Sequence, residues 1–223
     1  FRNKRFSMPD AQRILEQIPQ HVKLLAVSKG QDAQTIKMAF QQGIHQFGEN
    51  YLQEAITKIE ALSHQPCIWH YIGHIQTNKC KKIAHYFDWV QTIDRIETAK
   101  KLNQACEAQN KILQVCIQIN LHGEMQKSGI SPIDAQGLIA EILNLHHLNL
   151  RGLMLIPPMD LTQHELAQAY EQMCQLLKVW NQTFNLHMDT LSMGMSGDFQ
   201  QAIAHGSTMV RIGQALFGAR TQK

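Results

Sequence analysis

Eight times along 223 residues a short apolar run gives way to an apolar stripe at helical spacing, in strict alternation. The runs are LLAVSK, HQFGEN, IWHYIG, DWVQTID, ILQVCIQIN, LRGLMLI, HMDTLSMG and STMVRIG. Between them, Ile36, Ala39 and Phe40, then Leu52, Ala55, Ile56, Ile59 and Leu62, then Ile96, Ala99, Leu102 and Cys106, each line one helical face. Ser131, Pro132 and Asp134 open a further helix as cap, first residue and N3 carboxylate. Thr162 and Glu165 form a capping box before the longest one. A first helix spans 9–20, and the last two lie in SGDFQQAIAHG and QALFGAR. Each unit takes about 28 residues, close to the roughly 30 of a strand, its crossover helix and the return. Strict alternation forces parallel strands. Eight such units in this length predict a single-domain α/β fold over residues 1–223, a closed (β/α)8 TIM barrel. The competing open sheet with a dinucleotide site is disfavoured, because no GxGxxG follows any strand.

Composition narrows the function. With 44% hydrophobic and 17% charged residues a large core is expected. A net charge of +3, with basic residues scattered rather than striped, gives no nucleic-acid face. Lys79, Lys81 and Lys82 are read as a solvated helix face. Five cysteines without a CxxC pair argue against a disulfide framework and for a reducing cytoplasm. No run approaches the roughly 20 apolar residues of a membrane helix. The start, FRNKRFSMPD, is basic but lacks the apolar centre of a secretory signal.

In a barrel of this kind the site lies at the C-terminal ends of the strands. The first strand is expected to end on Lys29, with Leu25, Val27 and Lys29 on one face and Leu24, Ala26 and Ser28 on the other. A charge closing an apolar strand is either a lysine snorkelling to solvent or a placed amine in a cleft. Asn50, closing the second strand, lies level with it and is either a turn residue or a site residue. The seventh and eighth strands end in LSMGMSGD and STMVRIGQALFG. Helices are expected to start at Gly197 and Gly213, where their N–H groups would receive an anion and Ser196 would add a hydroxyl. Arg211 shares a face of the eighth strand with Met209 and Gly213. A buried guanidinium needs an acceptor, either a structural ion pair or a heteroaromatic ring nitrogen. His70 and His74 stand four apart, on one face of the third run, but no third ligand has matching spacing, so no metal is expected.

At this point the motifs resemble a known family. LLAVSK, QFGENYLQE, WHYIGHIQTNK, DWVQTID, QIN followed by KSG, LRGLM, LSMGMS and GSTMVRIGQALFGAR stand in the order found in YggS/PROSC-type pyridoxal phosphate homeostasis proteins, single-domain relatives of the alanine racemase barrel (fold type III). The resemblance implies a monomeric cytoplasmic barrel holding pyridoxal 5′-phosphate, with PLP-dependent apoenzymes as possible recipients and neither nucleic acid nor membrane as partner. It makes Lys29 the Schiff-base lysine and sets Asn50 beside the ring. Ser196 and the backbone around Arg211, Ile212 and Gly213 then receive the phosphate, and Arg211 lies near the pyridine nitrogen. The chain departs from the family at SKGQDAQ, which lacks the SKT-x-P run, and at Gly197, where an acidic residue is usual. Its leading helix is also shorter.

A PLP racemase needs two acid–base groups, one on each face of the substrate carbon. In alanine racemase-like enzymes the second comes from another domain, and eight units leave no room for it here. An arginine at the pyridine nitrogen also weakens the ring as an electron sink. The expected role is therefore a carrier and buffer of the cofactor rather than an enzyme. The alternative is a weak amino-acid racemase or a Schiff-base lyase of the aldolase type.

Overall fold

In the computed structural model, which describes residues 8–123 and 128–218 (backbone alone for 8–10), eight parallel strands close into a barrel in sequence order. They are β1 (Lys23–Val27), β2 (Gln46–Glu49), β3 (Ile68–Tyr71), β4 (Trp89–Ile93), β5 (Leu113–Ile119), β6 (Leu148–Leu155), β7 (Thr190–Met195) and β8 (Met209–Ile212). Closure is made by β1 against β8, with Leu25 level with Arg211, while Ala26 pairs Phe47 on the other side. Around them run α1 (Met8–Glu16), α2 (Ala33–Gln41), α3 (Leu52–Ala61), α4 (Cys80–Tyr86), α5 (Ile96–Glu107), α6 (Pro132–Ile142), α7 (Gln163–Phe184), α8 (Phe199–Ala204) and α9 (Gln214–Phe217). The (β/α)8 reading is correct.

Local chemistry explains the boundaries. Ser131 accepts from the Asp134 N–H at the start of α6, and Thr162 and Glu165 complete the capping box of α7. Expected to reach residue 20, α1 stops at Glu16, because Pro19 disfavours the helical state of the residue before it. The basic start over residues 1–7, the loop residues 124–127 with the Lys of KSG, and the end of QALFGAR from 219 lie outside the described residues.

Strand alternation sorts the side chains into two cores. Ala26, Phe47, Trp69, Tyr71, Val90, Val210 and Ile212 face the helices and pack with Ile36, Leu102, Tyr170 and Trp180. Each large side chain so buried contributes about 1.5–3 kcal/mol. Inside the barrel sit Leu25, Ile72 and Met209 in one group and Trp89, Cys116 and Met154 in another. Two glycines permit close approach at the rim and wall. A Cβ on Gly73 would lie 2.0 Å from the Asn50 carbonyl oxygen, and one on Gly152 1.8 Å from that of Thr190.

The barrel interior also carries a polar chain. Arg211 Nη1 donates to Ser192 Oγ (2.9 Å), whose hydroxyl donates to Gln91 Oε1 (2.6 Å). Gln91 Nε2 meets His70 Nδ1 at 2.9 Å, and His70 Nε2 meets Gln46 Oε1 at 3.1 Å. Complete burial holds the His70 imidazole neutral, its pKa pulled from 6.5 to about 3, with the Lys23 charge adding to the effect. Its ring stacks on Trp89, with centroids 5.0 Å apart.

Candidate functional site

A cleft of about 630 Å3 opens at the C-terminal rim, within the size range of small-molecule sites. Val27, Lys29, Asn50, Ile72, Ser196, Gly197, Arg211 and Gly213 line it. Of the six residues expected at the site, five meet here. The sixth, Ile212, is fully buried and turns its side chain to the helical layer, leaving its main chain at the rim.

Lys29 does not stand on β1, which ends at Val27. Ser28 continues the ladder through its N–H to Gly48 O (3.0 Å), and Lys29 rides the turn that follows. The turn is closed by the Gln31 N–H on Ser28 O (3.0 Å) and uses Gly30 at φ +78°. Val27 and Lys29 still face the same way, into the cleft.

Beneath this turn lies a charged cluster that the helical stripe conceals. Lys58 of α3, about 5% exposed, donates to Ser28 O (2.7 Å), Glu49 Oε1 (2.8 Å) and Glu54 Oε1 (2.5 Å). Ser28 Oγ donates to the same Glu49 oxygen, and the Gly30 N–H donates to Glu54 Oε1, both at 2.5 Å. Burial raises the Glu49 carboxyl above its ordinary pKa, with Lys58 opposing. Its other oxygen, Glu49 Oε2, is buried with no partner among the described residues. The sequence signal for this cluster was the Glu54–Lys58 pair at i,i+4 and the glutamate inside a barrel strand.

Arg211, about 4% exposed, has neutral oxygens as its acceptors among the described residues: Ser192 O (2.6 Å), Ser192 Oγ (2.9 Å) and Leu155 O (2.8 Å). Burial lowers its pKa from 12.5 to about 10, so it stays charged at neutral pH. These bonds take three of its five N–H groups, and the side chain lines the cleft.

At the far side the turn after β7 differs from expectation. Here α8 begins at Phe199, not at Gly197, and is only six residues long. Asp198 caps the turn: its Oδ1 accepts from the Met195 N–H (2.5 Å) and its Oδ2 from the Tyr170 hydroxyl (2.6 Å). Burial, with that bond adding to it, pushes the Tyr170 phenol well above its ordinary pKa. By contrast α9 starts directly after Gly213 as expected, and its Ala215 N–H donates to Ser196 Oγ (3.3 Å). The two turns are thus tied together through the Ser196 hydroxyl. A Cβ on Gly213 would press on Val27 O at 3.2 Å, whereas Gly197 has open space beside it.

The residues fit a phosphorylated pyridine aldehyde. An amine stands at one end, small-residue turns with a hydroxyl at the other, and a guanidinium between. Asn50 Oδ1 is buried without a partner among the described residues, an acceptor that a ligand's hydroxyl would satisfy. Among those residues no group of His, Cys, Asp and Glu is arranged to hold a metal.

Fold and site together define a parallel eight-stranded barrel with a lysine-bearing cleft at the C-terminal rim. The family described as "Alanine racemase, N-terminal domain" matches residues 10–221. This chain belongs to that family, and within it to the pyridoxal phosphate homeostasis proteins. It is 48% identical to the pyridoxal phosphate homeostasis protein of Pasteurella multocida over 204 residues, 89% of this chain and 87% of that protein. With the protein of the same name from Pseudomonas aeruginosa it shares 45% over 202 residues, 91% and 86% of the two chains. PipY of Synechococcus elongatus, solved with PLP bound, superposes with a TM-score of 0.88 at 34% identity, covering 94% of this chain and all of that one.

Proposed function

We propose that this protein holds pyridoxal 5′-phosphate as a Schiff base on Lys29 and serves as an intracellular carrier and buffer of that cofactor. The observation that carries the reading is the single cleft, in which Lys29, Asn50, Arg211 and the Ser196–Gly197 and Gly213 turns all take part. The cofactor supplies an aldehyde, a pyridine ring and a phosphate. Lys29 would hold the aldehyde carbon through its amine nitrogen, the aldehyde oxygen being released as water with the two amine hydrogens. Asn50 would accept from the ring substituent, Arg211 would donate toward the ring, and Ser196 with the main chain of 211–213 would receive the phosphate.

A carrier role, not catalysis, is supported by what lines the cleft. Among the described lining residues only Lys29 and Arg211 titrate, so a second acid–base group for carbanion chemistry is not supplied there. Recipients would be PLP-dependent apoenzymes, met by a monomer in the cytoplasm. No helix among the described residues is long and apolar enough to cross a membrane.

The test is spectroscopic. Protein purified without added cofactor is expected to be yellow, and Lys29→Ala to lose both the colour and the adduct that borohydride traps. A Lys29→Ala protein that still traps the cofactor refutes the reading. Turnover-rate exchange of α-protons when the loaded protein meets L-amino acids in deuterated water would make it an enzyme instead.

A further inference from the structure

We propose that Lys58, Glu54 and Glu49 are positioning residues that lock the backbone on both sides of Lys29 and so aim its amine into the cleft. The inference rests on the reading of Lys29 given above and extends it to residues outside the lining of the cleft. Lys29 lies between two peptide groups. The first presents the Ser28 carbonyl, which accepts from Lys58 Nζ at 2.7 Å; the second presents the Gly30 N–H, which donates to Glu54 Oε1 at 2.5 Å. Holding both planes fixes the two torsions at the Lys29 Cα, and with them the direction of its Cα–Cβ bond. Ser28 is held a second time through its hydroxyl on Glu49 Oε1.

Lys58 gives its three N–H groups to Ser28 O, Glu49 and Glu54, the full complement of an ammonium. One buried cation therefore joins the strand end, the helix and the turn. For stability alone this arrangement is a poor choice, since well-packed apolar side chains in place of a buried ion pair are often as stabilising or more so. What an apolar pair lacks is a donor for one flanking peptide and an acceptor for the other. The cluster supplies both, at the one turn that carries the reactive amine.

The experiment compares Glu54→Ala with Glu54→Gln, chosen because the Glu54 side chain is 34% exposed and either variant leaves the buried Lys58–Glu49 pair in place. Three quantities are measured: amide hydrogen exchange at Gly30 in the chain stripped of cofactor, the rate at which added pyridoxal phosphate is captured on Lys29, and the thermal midpoint. Glu54→Ala is expected to raise Gly30 exchange and slow capture by about tenfold each, the size of one charge-assisted hydrogen bond. Glu54→Gln, which keeps an acceptor for Gly30, should stay within about twofold of the parent protein. Lys58→Met is expected to show the larger defect in both. If Glu54→Ala leaves Gly30 exchange and capture at parent values, or Glu54→Gln is as impaired as the alanine, the clasp is refuted. Gly30 exchange is read without cofactor, so it reports on the clasp even if Lys29 proves not to be the capturing amine.

Discussion

The two ends of the cleft are held by different chemistry. At the amine end, the turn of residues 28–30 is fastened by a lysine and two glutamates, two of the three nearly or wholly buried. At the other end, the turn of residues 195–198 is fastened by one carboxylate, Asp198, whose oxygens are taken by a main-chain N–H and a phenol. The arginine beside it is fastened by neutral oxygens. The difference follows from what each end is proposed to receive. An anion is attracted by N–H groups and repelled by a carboxylate, so Asp198 is useful there only with its oxygens occupied. An amine has no such objection to nearby carboxylates, and a charged clasp beneath it holds the turn more firmly than neutral bonds do.

The widest separation of the two ends comes from taking each away in turn. Lys29→Ala is expected to abolish borohydride-trappable adduct completely while leaving reversible, salt-sensitive retention of pyridoxal phosphate. Pyridoxal, which lacks the phosphate, should still be trapped on the parent protein but bind at least about tenfold more weakly, as expected for losing charge-assisted hydrogen bonds. Equal affinity for the two aldehydes would remove the anion end from the account.

Next in size is the clasp itself as a contributor to stability. Lys58→Met strands Glu49 beside its already unpartnered oxygen, and breaking a buried pair in this way costs about 3–5 kcal/mol. Urea unfolding should show that loss. A cost under about 1 kcal/mol would mean that the pair is screened like a surface one.

How much of this contrast the sequence disclosed depends on the kind of signal each part leaves. The barrel was legible because the alternation of strand and helix repeats eight times, and errors at single boundaries cancel. Lys29, Asn50, Ser196, Arg211 and Gly213 were legible because each stands where a strand runs out, and strand ends are where such barrels place their sites. Ile212 was legible as a neighbour in sequence, but its side chain faces outward by strand parity. The supports were hidden. Lys58 sits on the same helix as an apolar stripe and looks like a solvated residue until β1 and β2 are brought beside it. Tyr170 and Asp198 are 28 residues apart and meet only after α7 folds back on the barrel. The partners of Arg211 are mostly main-chain oxygens, which no residue type announces.

The root of the anion end can be tested by acid. His70 passes the hydrogen-bond chain from Gln91 to Gln46, and its pKa falls from 6.5 to about 3 on burial. Below pH 6.5 the unfolded chain takes up a proton that the folded one refuses, so this stability is complete above 6.5 and is lost as pH falls toward 3. The loss is about 1.4 kcal/mol for each pH unit in that window. Unfolding free energies of the parent protein and His70→Gln, measured across it, should differ in slope by that amount. Parallel slopes would mean that the interior chain accepts the proton without opening.

The smallest effect is expected at Tyr170. Replacing it with phenylalanine removes one hydrogen bond to Asp198 Oδ2 and leaves the ring packed in the core, so about 1 kcal/mol should go, or about 2–4 °C in the midpoint. The more telling readout is the ligand. With one oxygen released, Asp198 places an uncompensated carboxylate next to the Ser196–Gly197 turn, and retention of pyridoxal phosphate should weaken more than retention of pyridoxal. If both aldehydes respond alike, Tyr170 is a core residue whose hydroxyl found a convenient acceptor, and the two ends of the cleft are less differently built than their hydrogen bonds suggest.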